Sequence, residues 1–158
     1  AADVKISNRE VNNWMQPLVQ PGQEGLVAFV MKKINNVYHF LVQAKLESGN
    51  FDILELAPTV QCLTGNYRNT KKGSLPFLNT VLEANKNDII HDTFQSEEGG
   101  RFFQEQNRHV IVKVDENFDV KIPENYCWIT LNQLHSFLKY NNYVNIQARS
   151  LISSINFK

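Results

Sequence analysis

The chain has 158 residues, 42% of them hydrophobic, with 16 Lys plus Arg balanced by 16 Asp plus Glu. That length suits one domain with a core of ordinary size, and that apolar content excludes a disordered chain. The zero formal charge argues against a nucleic-acid binder, and no apolar run approaches the roughly 20 residues of a membrane helix.

The opening AADVKISNREVNN has no apolar leader core, so a cytoplasmic location is the default expectation. It is polar throughout, and residues 1–13 read as a flexible lead to a single domain over 14–158. WMQPLVQPGQEG follows as a loop, with Pro17, Pro21, Gly22 and Gly25 as breakers. LVAFVM (26–31) is apolar enough for a buried strand. Asn35 and Asn36 turn the chain into VYHFLVQAKL (37–46), which alternates and completes a β-hairpin. Gln43 and Lys45 lie on its polar face.

FDILELAPTVQC (51–62) predicts a third strand, interrupted at Pro58. LTGNYRNTKKG is a loop, and SLPFLNTVLEAN (74–85) predicts a helix capped by Ser74 with Pro76 in its first turn. IIHDTF and HVIVKV read as strands flanking SEEGGRFFQEQNRH (96–109). TLNQLHSFLKY (130–140) carries a capping box, Thr130 to Gln133, and NIQARSLISSI predicts a last helix capped by Asn145. Strands dominate the first two thirds and helices the end. The expected fold class is α+β, with helices on a mixed or antiparallel sheet.

Cys62 and Cys127 stand alone, and His39, His91, His109 and His135 form no HxH or HxxxH pair. Buried thiols and no metal site are therefore expected. Four polar clusters interrupt the apolar runs: Gln43 to Lys45, Thr59 to Tyr67, Ser96 to His109, and Asn142 to Arg149. On composition alone these are polar loops that converge or do not.

Their wording is more specific. HFLVQAK, ELAPTVQCLTGNY, SEEGGRFFQEQNRH, WITLNQL and NYVNIQARSL, in this order, resemble the NDP-hexose 2,3-dehydratases from about Trp14 to the end. The resemblance implies a mixed sheet between helices, like that of Nudix hydrolases. It implies a substrate such as dTDP-4-keto-6-deoxy-glucose and a role in deoxysugar biosynthesis. Members are longer chains built from tandem copies of one such unit, and this sequence looks most like the second copy. A homodimer standing in for the tandem is one expectation. A non-catalytic nucleotide-sugar-binding or dimerisation unit is the alternative. A Nudix pyrophosphatase is disfavoured, because SEEGG lacks the RExxEE-type run that would hold its metal.

The implied reaction removes the hydrogen on carbon 3, acidified by the carbon 4 ketone. The enolate then expels the carbon 2 hydroxyl as water, and the enol becomes a 3,4-diketo-2,6-dideoxy sugar for a downstream ketoreductase. No redox cofactor is required. A base, a donor to the enolate oxygen and an acid for the leaving hydroxyl are. Glu97 is the first candidate base, with Glu98 beside it and Glu55 as another carboxylate. A surface ion pair with Arg101 or Arg108 is the competing role for the adjacent acids. Tyr67 and Lys45 are candidate acid or oxyanion donors. Arg101, Arg108 and Arg149 suit the diphosphate. Gln43, Thr59, Gln61, Asn66, Asn107 and Asn145 suit sugar hydroxyls or the base, and Gly99 and Gly100 allow close backbone approach. Trp128 either stacks on a base or packs in the core.

Overall fold

β3 (Gly25–Ile34) is the centre of the molecule, and its first seven residues are all buried. That is why its apolar run is continuous and not alternating. Asn35 and Asn36, at φ 49° and 65°, turn the chain into the antiparallel β4 (Val37–Leu46); such left-handed pairs match the twist of a tight hairpin. A computed structural model describes residues 1–49, 51–63, 75–97, 100–118, 120–140 and 142–155.

Beyond Val30 and Leu41, the last of their pairs, β3 and β4 part. The segment predicted as one interrupted strand is wedged into this fork as two. β5 (Leu54–Pro58) pairs with β4, and β6 (Val60–Leu63) pairs with β3. Thr59, fully buried, sits at the crotch. Its hydroxyl accepts from the Val30 amide at 2.8 Å and donates to the Leu41 carbonyl. The Gln43 amide donates to the Pro58 and Thr59 carbonyls at 2.9 and 3.2 Å. Two strands that lose each other's ladder thus keep their backbone groups satisfied.

β7 (Ile89–Ser96) and β8 (Gln106–Lys113) form an antiparallel hairpin, and β8 runs parallel to β3. The sheet order is β5-β4-β3-β8-β7, with β6 also on β3 and β9 (Tyr126–Thr130) on β4. Helices α2 (Leu131–Phe137) and α3 (Ile146–Ser153) cover one face, around Phe29 and Phe40 in edge-to-face contact at 5.5 Å. Helix α1 (Leu78–Leu82) and the packed side chains of Phe118, Ile122 and Tyr126 cover the other. The α+β expectation, a mixed sheet between helices, is what the chain forms. Among the described residues, no helix is long and apolar enough to cross a membrane.

Several local readings differ. Residues Ala2–Lys5 form β1, paired with β2 (Asn13–Gln16) in a separate ribbon. The helix predicted over 74–85 is five residues long, because Phe77 stands at φ 63° and starts it late. Ser74 lies outside the described residues. Strand β9 went unpredicted. Cys127 on it is exposed and Cys62 half-buried, so neither is the fully buried thiol expected.

The last two helices begin where their caps predict. The Thr130 hydroxyl accepts from the Gln133 amide at 3.2 Å, and the Gln133 side chain accepts from the Thr130 amide at 2.9 Å. Thr130→Ala is expected to lower unfolding free energy in urea by about 1 kcal/mol. Asn145 caps α3 by accepting from the Ala148 amide at 2.9 Å. Its own backbone amide donates to the Leu56 carbonyl at 3.0 Å, which ties the helix start to β5.

Candidate active site

The stretch 96–109 runs from the end of β7 into β8, and its described residues are pinned at two levels. The Glu97 amide donates to the Glu105 carbonyl at 2.9 Å across its neck. Further out, the Val19 amide donates to the Arg101 carbonyl at 2.6 Å, and the Phe103 amide donates to the Val19 carbonyl at 2.8 Å. Gly100 takes φ 69°, a left-handed turn that glycine makes without strain. The half-buried Phe102 side chain faces inward, while Phe103 is 45% exposed. Between the two strands, the described residues 100–105 are braced against Val19.

At the neck, Glu97 is gripped by one oxygen. Its Oε1 accepts from Asn107 Nδ2 on β8 at 2.5 Å and from Gln147 Nε2 on α3 at 2.9 Å. Among the described residues, no partner is placed on Oε2. A second carboxylate, Glu47, is engaged on both oxygens. Its Oε1 accepts from Lys45 Nζ at 2.9 Å and Gln61 Nε2 at 3.0 Å, and its Oε2 accepts from Asn145 Nδ2 at 3.2 Å. Asn145 Nδ2 also donates to Gln61 Oε1 at 2.8 Å.

These groups line two adjoining hollows of about 370 and 930 Å³. Glu47, Gln61, Glu97, Phe102 and Gln147 border both. Lys45, Asn107 and Glu105 border the smaller; Arg101, Asn145 and Ile146 border the larger. Lys45 spends one of its three N–H donors on Glu47, leaving two for a ligand. Of the predicted site residues, then, Lys45, Gln61, Glu97, Arg101, Asn107 and Asn145 come together.

Others do not. Gln43 and Thr59 are committed to the fork and serve its backbone, not a hollow. Arg108 follows Asn107 on a strand, so its side chain emerges on the opposite face. There it pairs with Asp92 at 2.6 Å. Arg149 lines a separate pocket between the ends of α2 and α3. Gly100 stands in the loop with open space around it. Trp128 packs on the α1 side of the sheet under Lys32, not against a hollow. Tyr67, Asn66, Gly99 and Glu98 lie outside the described residues.

Sequence reading missed Gly25, Glu47, Glu105 and Gln147. Glu47 had a signal, since strand period places it two residues beyond Lys45. Gln147 lay two residues beyond a predicted cap. Gly25, which borders the smaller hollow, had none, because a glycine ahead of an apolar run reads locally as a breaker.

The sequence profile of the NDP-hexose 2,3-dehydratases matches residues 1–155. The chain belongs to that family. Curated dTDP-4-dehydro-6-deoxy-alpha-D-glucopyranose 2,3-dehydratases are similar to it. The one from Saccharopolyspora spinosa is 43% identical over 98% of this chain and 32% of its own. The one from Amycolatopsis orientalis is 43% identical over 99% of this chain and 33% of its own. This dehydratase-family chain therefore spans about a third of the length of those relatives. Its fold resembles a Nudix hydrolase from M. smegmatis, with a TM-score of 0.51 and 10% identity over 96% of this chain and 91% of that one. It also resembles the C-terminal domain of mouse MUTYH, with a TM-score of 0.52 and 13% identity over 82% and 84% of the two chains. At those identities the likeness concerns the fold alone.

Around the family's sheet, burial sets the charge states. His109 lies on the face of β8 that carries Asn107, is 2% exposed, and among the described residues has no partner on Nδ1. Burial pushes its imidazole below the usual value of 6.5, while the Glu97 charge pulls the other way. Burial likewise pushes the Tyr126 phenol up to about 12, so it stays protonated on the Thr59 carbonyl. The Arg108 hydrogen bond holds Asp92 below its ordinary range, at an exposed site where the pair contributes little.

The His109 shift has a testable sign. Below about pH 6.5, the unfolded chain binds a proton that the buried ring resists, so stability falls as pH falls. The slope from this residue is at most about 1.4 kcal/mol per pH unit. Urea midpoints should drop between pH 7.5 and 5.5, and His109→Gln should remove part of that drop.

Proposed function

We propose that this chain forms a hydro-lyase site for a nucleotide-linked 4-keto-6-deoxyhexose, a dTDP sugar by analogy with its relatives, and makes the 3,4-diketo-2,6-dideoxy product. The observation that carries the reading is the Glu97 carboxylate, held by one oxygen at the border of both hollows with the other unpartnered among the described residues. Family membership supplies the reaction; Glu97 supplies a base in reach of a bound sugar. In this reading Oε2 takes the carbon 3 hydrogen as a proton. The C–H electron pair becomes the enolate, and the Lys45 ammonium stabilises its oxygen. The enolate then expels the carbon 2 hydroxyl, which takes a proton from the Glu97 carboxyl or from solvent water and leaves as water, so that the proton removed from carbon 3 is balanced. The enol finally gains a proton at carbon 2 as carbon 3 becomes a ketone.

Charge favours one orientation. Glu47 and Glu97 border both hollows, Glu105 with Lys45 borders only the smaller and Arg101 only the larger, so the sugar enters the smaller hollow and the diphosphate stays in the larger near Arg101. A homodimer and a ketoreductase that consumes the diketo product belong to the same reading.

The test is hydrogen exchange. Incubated with the dTDP-4-keto sugar in deuterated buffer, the chain should exchange the carbon 3 hydrogen, read by NMR. Exchange with loss of water supports the full reaction. Binding without exchange overturns the catalytic reading in favour of a binding unit.

A further inference from the structure

We infer that Gly25 is a positioning residue of this site: its missing side chain is the socket that lets Asn107, together with Gln147, hold Glu97 by a single oxygen. The inference rests on the reading of Glu97 as the base. Gly25 is the first residue of β3, paired with Asn107 across the parallel ladder and with Leu63 across the antiparallel one. Its φ is not in the left-handed region, so backbone conformation does not explain a glycine there. Space does. A Cβ on Gly25 would stand 1.8 Å from Asn107 Oδ1 and 2.8 Å from its Cγ, far inside contact distance. Gly22, just before, has nothing within 4 Å.

The Asn107 side chain therefore lies across the bare Cα, and from there its Nδ2 reaches Glu97 Oε1. The Gln147 amide arrives at the same oxygen from α3. The last torsion of a glutamate is broad when nothing holds it. Two donors from different elements on one oxygen remove that freedom and leave Oε2 with one direction. Any side chain at position 25 displaces Asn107, which leaves only Gln147, and the carboxylate regains its rotation. Misplacement of a reacting group by about 1 Å can lower a rate by about a hundredfold.

The experiment is a double-mutant comparison on the 158-residue chain. Carbon 3 exchange is measured at saturating and limiting dTDP-4-keto sugar for Gly25→Ala, Asn107→Ala, Gln147→Leu and the Gly25/Asn107 double variant. Each single variant should lower the saturated rate tenfold or more, roughly, with KM changed less than about threefold. The double variant should lose no more than Asn107→Ala alone, because the clash has nothing left to displace. Losses that multiply in the double, an unaffected Gly25→Ala, or a loss confined to KM would overturn the inference. If Gly25→Ala does not fold, the double variant should, since removing Asn107 relieves the clash; failure of both overturns it.

Side-chain amide NMR separates this inference from the functional reading. The Asn107 and Gln147 NH₂ signals should both move in Gly25→Ala. If they move while the wild-type chain exchanges no hydrogen, the positioning stands and the dehydratase reading falls. If they stay in place, the positioning falls whatever the activity.

Discussion

Glu97→Gln should lower the rate of carbon 3 hydrogen exchange by at least about a hundredfold, the lower end of what a positioned base contributes. Nucleotide-sugar affinity should stay within roughly threefold. The substitution is nearly isosteric. Its amide oxygen can still accept from Asn107 and Gln147, whose donors meet Oε1 at 2.5 and 2.9 Å. The NH₂ group then replaces Oε2 at the hollow. The site is left in shape and deprived of a proton acceptor. Exchange rates and binding, measured on one preparation, check the result. Exchange within a few-fold of wild type would remove Glu97 from the base role, and Glu105 on the same hollow would be the next carboxylate to examine.

The second large effect concerns stability. Thr59→Val keeps the shape of the side chain and deletes its hydroxyl. The Val30 amide and the Leu41 carbonyl, both on residues with no exposure, then lose that partner where β3 and β4 part. A buried polar group left unpaired costs about 1–3 kcal/mol. The variant should therefore lose roughly 2–5 kcal/mol in urea unfolding, a large share of the stability of an ordinary domain. Thr59→Ser keeps the hydroxyl and should lose less than about 1.5 kcal/mol. A Thr59→Val chain as stable as wild type would show that the fork does not depend on this residue. Ligand affinity of whatever folds should be unchanged, because Thr59 borders neither hollow.

That residue also shows where sequence reading succeeds and where it stops. Alternation placed β4, the capping residues placed α2 and α3, and Pro58 marked a break in the third strand. All of these are local signals. Gln43 and Thr59 read as ligand contacts because they are polar among apolar neighbours. A polar residue in a strand also marks a place where the backbone ladder is broken, and here the break won. Strand β9 was missed because YCWIT is short and runs straight into the Thr130 cap. α1 was overestimated because the spacing of Leu75, Leu78, Val81 and Leu82 suits a longer helix, while Phe77 in a left-handed conformation delays its start.

The same limit governs the site. Period 2 already implies that Asn107 and Arg108 cannot face one hollow together. Which of the two faces the hollow depends on what packs against the opposite face of β8, and that is not written in the strand itself. Glu97 and Lys45 were legible as chemistry. The amides that hold Glu97, and the glycine that admits one of them, are legible only as geometry.

The parallel pairing of β3 with β8 has a kinetic meaning. It joins Gly25–Met31 to Asn107–Lys113, segments far apart in sequence, and no short turn can bring them together. Gly25 meets Asn107 only when that seam has closed, and α3 must also dock to deliver Gln147. A folding intermediate holding just the β3–β4 and β7–β8 hairpins would own most of its local order and none of its grip on Glu97. Competence in this protein therefore depends on non-local contacts, and local order in the hairpins does not supply it.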